Sequence, residues 1–184
     1  MANTAANVSF GKPKATGAVY VAPAGTSVPT DATTSLAITY KSLGYVSEDG
    51  LVNEIETDTE DVKAWGGDTV LSDQTSFKET FTFNMLETNE EGLKLYYGAD
   101  NVTVSGTNIT VKQNSAPLSN VVIIFELVLT GGRIKRIVVS DGKIADRSGE
   151  ITYTDGDAIT YPIKMVAFPD GSGNTHTEYI AVTS

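Results

Sequence analysis

The chain of 184 residues contains no cysteine, one histidine and one tryptophan. The lack of cysteine excludes disulfides, iron-sulfur clusters, thiolate zinc sites and cysteine nucleophiles together, and it permits synthesis in the cytosol. A hydrolytic Ser-His-Asp triad has only His176 to draw on. That residue opens a Thr-rich strand, and no Gly-x-Ser-x-Gly elbow occurs anywhere, so no catalytic role is expected. No apolar run approaches the ~18 residues of a membrane-spanning helix; the longest, Val121 to Leu129, is interrupted by Glu126. The N-terminus, MANTAANVSFGKPKATG, has neither a positive start nor an apolar h-region, so no secretory signal is expected and the chain should be soluble. Positive charge is also scarce: 13 Lys plus Arg stand against 23 Asp plus Glu, a formal charge of −10. Gripping a phosphate backbone draws on clustered Lys and Arg, so this balance argues against a DNA-gripping surface. Ordinary solubility explains the same acidity equally well.

What is present is a β-rich chain, 40% hydrophobic with 17 glycines, long enough for one sizeable core and without a central linker. Residues 1–16 are rich in Ala, Asn, Thr and Ser and read as a mobile N-terminal arm; residues 17–184 read as a single β domain. Gly17 to Val21 predicts a short strand, followed by a loop marked by Pro23, Gly25 and Pro29. Leu36 to Tyr40 fits no one element. In Leu51 to Thr57, Leu51, Asn53 and Ile55 share one face and Val52, Glu54 and Glu56 the other. In Ser76 to Leu86, Phe77, Phe81, Phe83 and Met85 face a core and Lys78, Thr80, Thr82 and Asn84 face water, with Glu79 expected at an exposed strand start.

Thr88-Asn89-Glu90-Glu91 has the form of a capping box, and Leu93, Tyr96 and Tyr97 follow at helical spacing. Gly98 is placed to end this helix in a left-handed conformation, and Gly92 weakens it by roughly 1 kcal/mol relative to Ala. Hairpins are expected at Val102–Ser105 with Ile109–Lys112, and across Gly131-Gly132 between Val121–Leu129 and Arg133–Val139. Asp141-Gly142, Asp155-Gly156 and Asp170-Gly171 punctuate further strands near 143–154, 158–168 and 176–182. The sum is a mainly β fold, an antiparallel β-sandwich or partly closed barrel with one flanking α-helix.

No constellation points to a cofactor or a metal. Asp170-Gly171-Ser172-Gly173-Asn174 and Glu48-Asp49-Gly50 have some of the spacing of calcium loops but lack the full oxygen-ligand series, and a turn is the better reading of each. Paired carboxylates are plentiful, which devalues them as a glycosidase signal. Arg133, Lys135 and Arg136 form the one basic cluster, split by strand alternation onto two faces, and suit acidic partner strands better than nucleic acid. The stretch from Tyr45 to Asp73 is the unusual one. It is far longer than the ~4–6 residues of an ordinary connection, and it carries its own Val62 and Trp65 before Gly66-Gly67-Asp68. Trp65 fits either a core tryptophan or the anchor of an interface. The acidic run Glu54, Glu56, Asp58, Glu60, Asp61 fits either a basic partner or a wet surface.

The ordered set GYVSEDG, NEIETDTEDVKAWGGDTV, ETFTF, a helix, and IIFELVLTGGRIKRIVV resembles the major tail tube proteins of long, non-contractile-tailed bacteriophages, over about Ala18 to Ile180. The resemblance implies a structural virion protein, not an enzyme, made in the host cytoplasm and found in the virion tail. It implies a β-sandwich with a flanking helix that self-assembles into hexameric rings stacked as a tube, through which DNA passes during ejection without sticking. Tape measure and tail tip or terminator proteins are the implied partners, with no membrane insertion and no cofactor. The long early inter-strand loop that contacts neighbouring subunits matches about Thr57 to Gln74, which makes Glu60, Asp61, Val62, Lys63, Trp65, Gly66, Gly67 and Asp68 the expected interface. Residues 1–16 and those after Tyr179 match the arms that reach neighbouring rings. Glu54 and Glu56 are the expected donors of an acidic lumen face. The alternatives are a carbohydrate- or protein-binding β-sandwich, a small hydrolase using His176, and a related ring-former such as a tail terminator or the inner tube of an injection device.

Overall fold

The computed structural model describes residues 3, 5, 8–15, 17–147 and 149–181. The order of elements is β1 (Gly11–Pro13), β2 (Val19–Pro23), β3 (Lys41–Ser42), β4 (Val52–Lys63), β5 (Thr69–Met85), α1 (Glu90–Tyr97), β6 (Val102–Ser105), β7 (Asn108–Val111), β8 (Val121–Leu129), β9 (Ile134–Asp146), β10 (Tyr161–Ala167) and β11 (Thr177–Ala181). All pairings between these strands are antiparallel. The principal sheet runs β3-β2-β8-β9-β10-β5-β4, with β1 joined to β8 and β11 to β9, and β6-β7 is a separate hairpin. The fold is therefore mainly β and sandwich-like, as the alternating patterns predict, and it does not close into a barrel.

The bend that makes a sandwich of one sheet lies in β9. Its first half pairs with β8 and β11, whereas its second half pairs with β10. The register slips between Val121↔Gly142 and Ile123↔Val139, so β9 carries an extra residue there. Such a bulge bends and twists its strand. Asp141-Gly142, expected to be a turn, is thus part of a bent strand, and a Cβ at Gly142 would lie 2.6 Å from Met165 Sδ, so a larger residue there would have to displace that side chain. The bend folds β5 over β8: Phe81 and Phe125 stack with ring centroids 5.4 Å apart, although two strands separate them in the sheet.

Val121–Leu129 is the interior strand that its two apolar faces predict. Ile123 and Phe125 enter the main core with Phe83, Met85, Ile163 and Met165, while Val122 and Ile124 enter a second cluster with Ala22, Tyr40 and Val138. Leu36 and Tyr40 help to cover that second face. Glu126, also on this strand, lies opposite Arg136 on β9, and the two form a fully buried ion pair.

Several expectations are corrected. The segment 57–74 is not a loop, because strands β4 and β5 run through it, paired from Val52↔Thr82 to Lys63↔Thr69. Gly11–Pro13, placed in the N-terminal arm, is a strand on the edge of β8; the other parts of that arm at residues 1, 2, 4, 6, 7 and 16, and Val182–Ser184 of the C-terminal one, lie outside the described residues. The strand expected over 143–154 ends at Asp146.

The helix begins one residue later than the Thr88 box implies. Asn89 is the N-cap, accepting from Gly92 N at 2.8 Å, and the Thr88 hydroxyl is instead 3.0 Å from that of Tyr161. Asn89 wins because its amide also donates to the Leu43 carbonyl and the Glu87 carboxylate. Asn89→Ala is therefore expected to cost about 1–2 kcal/mol, the upper range for a lost cap, and Thr88→Val less, in urea unfolding of the two variants. Gly98 ends the helix at φ 100°, ψ 139°, a positive φ but outside the compact left-handed region.

Candidate subunit interface

β4 pairs with β5 along its whole length and, among the described residues, has no strand on its other side. All of β4 is exposed, and β5 is exposed from Thr69 to Lys78, becoming buried only from Glu79 onward. Beyond its root at Glu79, the hairpin therefore stands clear of the body. Nine residues from Ile55 to Lys63 give it a reach of roughly 30 Å. Its composition suits this: Thr, Val and Ile favour the pleated chain, and alternating acids keep the strand in water.

The tip is a tight turn. Ala64 N donates to Asp68 O at 2.8 Å and Gly67 N to Ala64 O at 3.0 Å. Gly66 and Gly67 have φ of 118° and 100°, conformations that side-chain-bearing residues avoid. This places Trp65 on the outermost turn with a relative exposure of 106%, which rules out the core reading for the subunit. The eight expected interface residues fall together: Glu60, Asp61, Val62 and Lys63 end β4, Trp65, Gly66 and Gly67 make the turn, and Asp68 precedes β5.

Glu54 and Glu56 do share a face, and alternation puts Asp58 and Glu60 on it too. Both are partnered: Glu54 meets Lys164 at 3.2 Å and Glu56 meets Lys78 at 3.3 Å. Two of the three basic residues meet acids, Lys135 on Glu178 at 2.5 Å and Arg136 on Glu126, whereas Arg133 donates to the Thr130 carbonyl and the Ser9 hydroxyl.

Sequence reasoning missed two features of this arm. Val70, Leu71 and Phe77 add to Ile55 and Val62 as half-exposed apolar side chains along it; the alternation in β5 was legible, but burial of Phe77 with Phe81 was assumed. The other is the root. Glu79, expected at an exposed strand start, is 0% exposed. Asn53 donates to it at 2.7 Å, the Thr175 hydroxyl donates to it, and His176 Nδ1 lies 2.9 Å from one carboxylate oxygen and 3.0 Å from the other. His176 also packs edge-on against Phe81. The only histidine thus fastens the segment before β11 to the base of the arm. No spacing signal could have found this, since the partners are about a hundred residues apart.

Burial alone pushes the Glu79 carboxyl up, but the donors Thr175, Asn53 and His176 outweigh it and hold the group below its ordinary value. A depressed carboxyl contributes stability that is full above the unfolded value, ~4.3, and is lost as pH falls through the lower folded value. Glu79→Gln is accordingly expected to lose about 1–3 kcal/mol at neutral pH, the cost of mismatching a buried hydrogen-bonding group. Its stability should also fall less steeply than that of the parent chain below pH ~4. Denaturant midpoints measured at pH 7 and pH 3.5 check both parts.

The calcium-like stretch is a turn, as expected: Asp170 accepts from Ser172 N at 2.8 Å and Asn174 N at 2.9 Å, and Gly173 has φ of 86°. Backbone donors from Asn174 and Ser172 hold the Asp170 carboxyl below its usual range.

A bent antiparallel sheet packed on one main and one smaller apolar cluster, with a long self-paired hairpin held out into solvent, defines a β protein whose most exposed feature is that hairpin. The profile described as phage tail tube protein matches residues 6–183, nearly the whole chain. The chain belongs to the phage tail tube protein family, and it is a structural component of the virion tail. No curated protein matches it.

Proposed function

We propose that the subunit closes laterally into hexameric rings that stack into a tube, and that this tube is a passive conduit for genome DNA during ejection. The observation that carries this reading is the β4–β5 arm, with its fully exposed tryptophan and its row of half-exposed apolar side chains. Exposed apolar surface of this kind marks an interaction site. Residues Glu60 to Lys63, Trp65, Gly66, Gly67 and Asp68 meet a neighbouring copy. The open edge of β4 supports ring closure, because an unpaired edge is a template for another strand and closure removes it. Stacking is head-to-tail, a contact that repeats without closing and so makes a filament.

Glu54 and Glu56, with Asp58 on the same face, turn to the lumen. Lys78 and Lys164 neutralise Glu56 and Glu54, so Asp58 and the chain's formal charge of −10 supply the acidic excess that repels phosphate and lets DNA slide. Tape measure and tail tip or terminator proteins set length and ends. The test is negative-stain electron microscopy of purified subunit over a concentration series, with light scattering on the same samples. Hollow tubes are expected. Single rings that never stack would favour the terminator reading, and monomer at all concentrations, also with tail tip proteins present, would favour the binding module.

A further inference from the structure

An apolar pocket of about 380 Å³ opens between β2, α1 and the segment leading into β8. Its walls include Val21, Ala22, Leu95, Leu118, Val121 and Ile144. That volume is at the small end of binding pockets, which run from ~300 to ~1,000 Å³, and it suits one large side chain better than a length of strand. On the helix side of its mouth Lys94 is satisfied by Glu90 and by Glu91 at 3.9 Å. Lys41 on β3, an exposed residue that also lines the pocket, has no carboxylate within ion-pair distance among the described residues.

The arm tip has the complementary character. Trp65 is the largest exposed apolar side chain of the chain, and around it Glu60, Asp61 and Asp68, outnumbering the one cation Lys63, have no ion-pair partner among the described residues. The arm stands off its own body, so its tip does not fill its own pocket. We infer that the pocket beside α1 is the receptor for the arm of a second copy: Trp65 enters it, and Asp68 meets Lys41 at its mouth. This rests on the proposed self-assembly and gives it a particular contact. Because arm and pocket are different surfaces of one chain, the contact is heterologous and propagates from copy to copy. A tryptophan seated in a fitted, dry pocket is the usual form of an interface hot spot.

The single tryptophan makes the contact readable with whole chains. A trace of wild-type chain is titrated with an excess of the Trp65→Ala variant, which has the pocket but no indole, and emission of the wild-type Trp65 is followed. A shift to shorter wavelength that saturates is expected. It should vanish when the titrant also carries Ala24→Phe, an exposed pocket-edge residue that partly fills the space. Lys41→Glu in the titrant should weaken the apparent affinity roughly two- to fivefold, the range for one exposed ion pair, and Asp68→Lys in the fluorescent chain should restore it. Unchanged thermal unfolding of each variant shows that the fold is intact. No shift, or the same shift with the pocket filled, overturns the inference. Wild-type tubes seen by microscopy alongside either result would leave the tube reading standing and sink the pocket alone.

Discussion

Arg136→Met is expected to destabilise the subunit by about 3–5 kcal/mol, the range for breaking one side of a buried ion pair. Arg136 and Glu126 are 1% and 2% exposed. Arg136 Nε donates to Glu126 at 2.9 Å, and its other nitrogens reach the Asp31 carbonyl at 2.7 Å and the Thr34 carbonyl at 2.9 Å. One guanidinium therefore neutralises a buried carboxylate and ties down the segment that covers the second apolar cluster. Methionine keeps much of the volume, so the loss reads charge and hydrogen bonding and not a cavity. Lys14, 2.7 Å from the other Glu126 oxygen, softens the effect because it stays on the same carboxylate. The double variant Glu126→Leu/Arg136→Met removes both charges and should recover most of the loss, since apolar replacements of buried pairs are often neutral. Urea unfolding of the single and double variants decides it. A single variant within ~1 kcal/mol of the parent would mean that Lys14 and water suffice for Glu126.

Trp65→Ala should do the reverse, leaving the subunit alone and disabling the assembly. Trp65 makes no core contact, so its removal is expected to change unfolding free energy by less than ~0.5 kcal/mol, as for an isolated surface site. An interface tryptophan, by contrast, is worth about 2–4 kcal/mol per contact. That corresponds to a critical concentration for tube formation raised roughly 30-fold or more. Pelleting across a concentration series measures it. A variant that pellets like the parent would show that the arm docks through Val62, Val70 and Leu71 without its tip. A variant with a lowered melting temperature would place Trp65 against its own body in solution.

The fold class was legible because its signals are local. Strand alternation at Phe81, Phe83 and Met85 and the double apolar face of Val121–Leu129 each depend on a few consecutive residues. The helix after Leu86 was legible too, but its first residue was not: Thr88 and Asn89 are both good caps, and Asn89 is chosen because Leu43 and Glu87, brought there by the fold, give its amide partners. Asp141-Gly142 has a turn's composition and a bulge's role for a similar reason, since Met165 packs against it from another strand. Burial of Glu79 was missed because alternation shows which face a residue shares, and not what waits across that face.

The interface stretch shows the same division. Its length, its acids and its Trp-Gly-Gly were visible in the chain, and they marked the stretch as unusual without telling a loop from a hairpin. Whether a long polar segment extends as paired strands depends on twelve β4 residues finding register with β5, a cooperative outcome that no single window contains. The sequence by itself determined that this is an acidic, cysteine-free, β-rich chain with one helix and an oversized early insertion, because composition and short-range periodicity fix those. Only the tertiary structure decided that Trp65 is outside, that Glu79 and Glu126 are inside with His176 and Arg136 as their partners, and that a pocket opens beside α1. Those facts arise where residues distant in the chain meet, and the free energy of such meetings belongs to the packed whole.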